Sequence, residues 1–106
     1  MSTLSTHVLD AVRGAPATGI AVALHGGGPE ELDSGVTATD GRIGALGAEL
    51  VAGTYRLVFD TGAYFAGLRI ESFYPEISIT FIVTEDRHYH IPLLLSPFAF
   101  STYRGS

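Results

Sequence analysis

Nearly the whole chain divides into short runs rich in β-branched and aromatic residues, each closed by glycine, proline or aspartate. The runs are THVLDAV, GIAVALH, DSGVTAT, GTYRLVFD, EISITFIVT, RHYHIPLLLS and FAFSTYRG. Runs of this length at this spacing are too short for a helical core and fit an all-β sandwich. The alternation inside them agrees: in TYRLVFD, Tyr55, Leu57 and Phe59 share one face while Arg56 and Val58 share the other, as in a half-buried antiparallel strand. TGAYFAGLRI is the exception. It lacks strict alternation and predicts a short helix after the turn that follows Asp60. GGGPEELD, from Gly26, reads as a surface connection.

A chain of 106 residues is the size of one domain and leaves no room for a second core, so residues 1–106 are expected to form a single unit. There is no cysteine, which excludes a disulfide framework and a thiolate zinc site. The net charge is -5 and the six basic residues are all arginines, spread singly. That pattern supplies no basic patch to neutralise phosphates and argues against a nucleic-acid partner. No apolar run approaches the ~20 residues of a membrane span. MSTLSTHVLDAVRG lacks the basic-then-apolar order of a secretory signal, so the expected location is the cytoplasm. Apolar residues make up 46% of the chain and charged ones only 16%, a thin polar coat for a small domain. Some apolar surface is therefore expected to meet another subunit.

The run HYHIPLLL departs from the half-buried pattern. Side chains alternate across a strand, so Tyr89, Ile91, Leu93 and Leu95 form one face and His88, His90, Pro92 and Leu94 the other. The first face supplies core. The second sets two imidazoles above an apolar floor, which suits a binding groove or a subunit contact better than open solvent. After Ser96-Pro97 the short connection predicts that FAFSTYRG returns antiparallel, with Ala99, Ser101 and Tyr103 on a common face. Near the other end, Ser5, His7 and Leu9 share a face, again a histidine above an aliphatic residue.

Three stretches in order, LSTHVLDAVRGAPATG, TDGR and HYHIPLLLSPFAFSTYRGS, resemble the 5-hydroxyisourate hydrolases, the transthyretin-like enzymes of urate breakdown. The closing YRGS is the most specific of these elements. The resemblance implies a prealbumin-type sandwich of two four-stranded sheets with one short helix. It further implies a homotetramer, a dimer of dimers, with its sites in a channel where the dimers meet. The implied reaction is hydrolysis of 5-hydroxyisourate to 2-oxo-4-hydroxy-4-carboxy-5-ureidoimidazoline, without cofactor or metal. Carried over by position, the resemblance puts His7, Arg42, His90, Tyr103 and Ser106 in the site as catalytic groups, all but Ser106 also binding substrate, with Tyr103, Arg104 and Ser106 of the closing tetrapeptide at the channel wall. The hormone-carrier branch of the family has lysine, glutamate and threonine at the positions of His7, Arg42 and His90 and lacks the tetrapeptide.

Each of these residues also has a plainer reading. A lone strand histidine is more often surface or hydrogen-bonded than catalytic, Arg42 could simply follow an Asp-Gly turn, and Tyr103 could be a packing aromatic. His25, at the end of GIAVALH, is assigned no function, and His88 is open between a supporting role and a solvated one. His7, His88 and His90 invite a zinc reading, but His88 and His90 lie in line on one strand and converge poorly with a third ligand. For a cyclic ureide the chemistry is attack of water on a ring carbonyl. Histidine, with an ordinary pKa of ~6.5, suits the proton steps, one of His7 and His90 acting as base and the other as acid or anchor. Arg42 offers a planar donor fork for the carbonyl and oxyanion, and its charge favours a neutral histidine nearby. No GxSxG elbow is present, which favours direct attack by water. A small-ligand carrier on the same scaffold and a purely structural sandwich are the competing readings.

Overall fold

Alternation along the sequence becomes inside and outside in three dimensions. The structure, a computed structural model, describes residues 2–106. In chain order its elements are β1 (Thr3–Asp10), β2 (Ala15–Pro16), β3 (Ala21–His25), β4 (Glu31–Val36), β5 (Arg42–Ile43), β6 (Gly53–Phe59), α1 (Thr61–Gly67), β7 (Ile77–Val83), β8 (His88–Leu95) and β9 (Phe100–Thr102). They form two sheets with strand orders β2-β1-β8-β9 and β4-β3-β6-β7. β5 adds to the first sheet off that path, pairing β1 through Thr6 and His7, while β2 takes Leu9 and Asp10. The two-residue strands β2 and β5 are too short to leave a periodic signal in sequence.

The anticipated inward faces are buried. Tyr89, Ile91, Leu93 and Leu95 line the core from β8, Tyr55, Leu57 and Phe59 from β6, and Leu4 and Val8 from β1. Truncating a fully enclosed leucine such as Leu57 or Leu93 to alanine should cost about 2–5 kcal/mol, the transfer term plus the cavity left behind. β4 begins earlier than the DSGVTAT run and ends at Val36, because Thr37 turns inward: its buried hydroxyl donates to Ala17 O at 2.7 Å and accepts from Ile20 N at 2.9 Å.

The helix falls where the loss of alternation places it. Asp60 caps its first turn by accepting from Ala63 N, and Phe65 packs into the core. Tyr64 donates to the buried carboxylate of Asp10 at 2.8 Å, tying α1 to the end of β1. Arg69, at φ 58, turns the chain away beyond the helix. Among the described residues no helix is long and apolar enough to cross a membrane.

β1 and β8 pair in parallel along their whole length, from Thr3 opposite His88 to Asp10 opposite Leu95. β9 then returns antiparallel on the far side of β8, with Ser101 opposite Leu94, as its short connection predicts. The start and the end of the chain thus become neighbours in one sheet.

Candidate active site

On the outward face of the first sheet, Ser5 and His7 of β1 lie beside His88 and His90 of β8. Register puts Ser5 opposite His90 and His7 opposite Pro92, with Arg42 of β5 opposite His7 on its other flank. Pro92 is buried, His7, His90 and Leu94 are half-buried, and Arg42 and His88 are exposed, so the imidazoles do stand above an apolar floor.

The Asp40-Gly41 turn sets both His7 and Arg42. Gly41 adopts φ +79 and presses so closely on Val8 O that a β-carbon would collide with it, while its own carbonyl accepts from Val8 N at 2.8 Å. Asp40 O lies 2.9 Å from Nε2 of His7. A carbonyl only accepts, so His7 Nε2–H is the donor in this contact, and in the neutral ring Nδ1 is the acceptor. Asp40 Oδ1 accepts from Arg42 N at 3.0 Å, and Oδ2 stands 3.9 Å from the Arg42 Nε, a contact too exposed to immobilise the guanidinium.

Around His90 the structure shows what the sequence reading did not anticipate. Ser5 Oγ lies 2.7 Å from His90 Nδ1 and 2.7 Å from His88 Nε2, and Thr3 Oγ1 lies 2.6 Å from His88 Nδ1. Thr3, His88, Ser5 and His90 form one chain of hydrogen bonds, and His88 leaves the undecided class as a bonded neighbour of the site. The available signal was alternation, since Thr3 and Ser5 occupy the same face of β1 as His7. Burial lowers the pKa of His90, and the charges of Arg42, His7 and His88 lower it further. Neutral imidazole is the favoured form.

The chain end also reaches His90. Gly105 N donates to His90 O at 2.8 Å, and a β-carbon on Gly105 would sit 2.7 Å from His90 Cδ2. Close approach to His90 is what requires glycine here. The register that pairs Leu93 with Thr102 and His90 with Gly105 sets Tyr103 opposite Pro92, on the histidine side of the sheet by alternation. Tyr103 is 59% exposed, and neither it nor the exposed Ser106 bonds to the imidazoles. Tyr103 and Arg104 also border an open cleft between the free edges of β9 and β7, with Ile79, Phe81, Tyr89 and Ile91. His25 lies on the other sheet, its Nδ1 3.1 Å from Pro29 O.

Fold and face together define a transthyretin-like, prealbumin-type sandwich that gathers three of its four imidazoles on one sheet. A model of the HIUase/Transthyretin family matches residues 4–105, and the chain belongs to that family. It is 46% identical over 109 residues to a 5-hydroxyisourate hydrolase of Salmonella dublin, covering 97% of this chain and 80% of that protein. The solved structure of Klebsiella pneumoniae 5-hydroxyisourate hydrolase matches with a TM-score of 0.93 at 46% identity, covering 100% of this chain and 94% of the other. Sea bream transthyretin, solved in complex with thyroxine, matches with a TM-score of 0.91 at 35% identity, covering 96% and 93%.

Proposed function

We propose that this protein hydrolyses 5-hydroxyisourate, opening a cyclic amide by attack of water assisted by histidine. One observation carries the reading: His90, held neutral by burial and by Arg42, stands on the same face as His7 and Arg42 in a chain similar to named 5-hydroxyisourate hydrolases. A neutral imidazole whose Nδ1–H donates to Ser5 has Nε2 free to take a proton from water. Arg42 receives the ring carbonyl and steadies the oxyanion as the water oxygen bonds to carbon. His90 then returns the proton to the nitrogen as the C–N bond breaks. His7 orients water or substrate through its Nδ1 lone pair. Tyr103 and Ser106 contribute hydroxyls from the chain end beside His90.

The imidazole face is open to solvent in the single chain, while Phe73, Ile82 and Phe98 are 70%, 63% and 61% exposed. Both features support a homotetramer, a dimer of dimers, in which a second copy closes the site over the small ureide. The carrier alternative draws on the same scaffold in sea bream transthyretin. The deciding experiment converts urate with urate oxidase, adds the protein, and follows the ultraviolet band of the intermediate. Accelerated decay is expected. Ligand retention in the channel with no acceleration at any enzyme concentration would replace the hydrolase with the carrier.

A further inference from the structure

We propose that Ser5 is a positioning residue that couples His90 to His88 as one proton relay ending at Thr3. The inference rests on the hydrolase reading and extends it to a residue outside the catalytic set. A serine hydroxyl has one proton and donates once, yet Ser5 Oγ stands 2.7 Å from a ring nitrogen of each histidine. Among the described residues its side chain has no other partner to take that proton, so one contact is a donation from Ser5 and the other a donation to it. Only two neutral arrangements satisfy every member.

In the first, His90 Nδ1–H donates to Ser5, Ser5 donates to His88 Nε2, and His88 Nδ1–H donates to Thr3 Oγ1. His90 Nε2 is then a bare lone pair, the form a general base needs. In the second, Thr3 donates to His88 Nδ1, His88 Nε2–H donates to Ser5, and Ser5 donates to His90 Nδ1. His90 Nε2 then carries hydrogen, the form a general acid needs. Passage between them moves only protons. When Nε2 takes a proton from the attacking water, Nδ1 passes its own to Ser5, Ser5 passes one to His88 Nε2, His88 Nδ1 passes one to Thr3, and Thr3, which is exposed, releases one to solvent. One proton enters and one leaves, and the reverse shift accompanies protonation of the leaving nitrogen.

The surroundings favour this traffic. His90 is flanked by Arg42 from β5, His7 from β1 and His88 on its own strand, and these three side chains disfavour a lasting imidazolium. Ser5 is itself only 9% exposed, so the hydroxyl is shielded from competing water.

Two measurements test the relay. Nitrogen-15 NMR of the imidazoles needs no substrate: Ser5→Ala should change the tautomer balance of both His88 and His90, and Ser5→Thr should restore it. In kinetics, Ser5→Ala and His88→Ala should each lower kcat about 10²-fold with KM within about twofold, and the double variant should lose no more than either alone. A proton inventory curved in the wild type should become linear in Ser5→Ala. Independent His88 and His90 signals, multiplicative losses, or no rescue by threonine would overturn the relay. A wild type with coupled imidazoles but no turnover would instead remove the hydrolase reading and leave the relay standing.

Discussion

Each sheet of this molecule carries a cross-strand histidine–arginine pair, His7 with Arg42 on the first and His25 with Arg56 on the second. The local chemistry of the two pairs is the same, yet their surroundings differ. Beside His7 the parallel strand β8 brings His88, His90 and the apolar Pro92, and the chain end closes on His90 through Gly105. His25 meets Glu31 on β4 and bonds within its own loop at Pro29, while Arg56 faces Thr80 on β7. No second imidazole joins them. A histidine–arginine pair on a strand is therefore not a site by itself; convergence of a second titratable strand makes it one.

The largest expected effect breaks the first pair's neighbourhood. His7→Asn and His90→Asn should each lower kcat about 10²- to 10⁴-fold with sheet circular dichroism unchanged, since asparagine is polar but shuttles no proton. Wild-type turnover in either would show that the convergence is structural.

Next comes the contact between the chain end and His90. Gly105→Ala should push the ring or the tail aside by the order of 1 Å, and such misplacement can cost about 10²-fold in rate. Gly28→Ala, which meets open space, is the matched control. Equal activity in the two variants would mean that the tail plays no part in holding His90.

A smaller effect is a shift in pH dependence. The lowered pKa of His90 places the acid limb of kcat/KM below the ordinary histidine value of 6.5, because the base stays unprotonated to lower pH. Arg42→Gln removes one of the charges responsible and should move that limb upward, though only part of the way, since burial is the first cause and remains. An unmoved or downward limb would place the titrating group elsewhere. The smallest effect belongs to the second pair: His25→Asn should leave kcat within about twofold, as expected of a half-buried residue on the other sheet. A loss comparable to His7→Asn would erase the distinction between the two sheets.

Alternation by itself determined the inward faces of β6 and β8, the all-β class, and the helix that follows Asp60, because side-chain direction in a strand depends only on the pleat. The resemblance of STHVLD, DGR and HYH to the family's motifs marked His7, Arg42 and His90 as candidates, and their types suit the role, since few other side chains offer proton exchange near neutral pH or a fixed donor fork. The tertiary structure alone decided which of them meet. Parallel pairing of β1 with β8 is a contact between the two ends of the chain, and no local periodicity encodes a partner so distant. From that pairing follow the Ser5 bridge between His88 and His90, the burial that lowers the pKa of His90, and the close approach that reserves position 105 for glycine. Tyr103 shows the complementary limit: alternation places it opposite Pro92, yet it is largely exposed, borders the cleft with Tyr89 and Ile91, and makes no bond to the imidazoles, because hydrogen bonding depends on distance as well as on face.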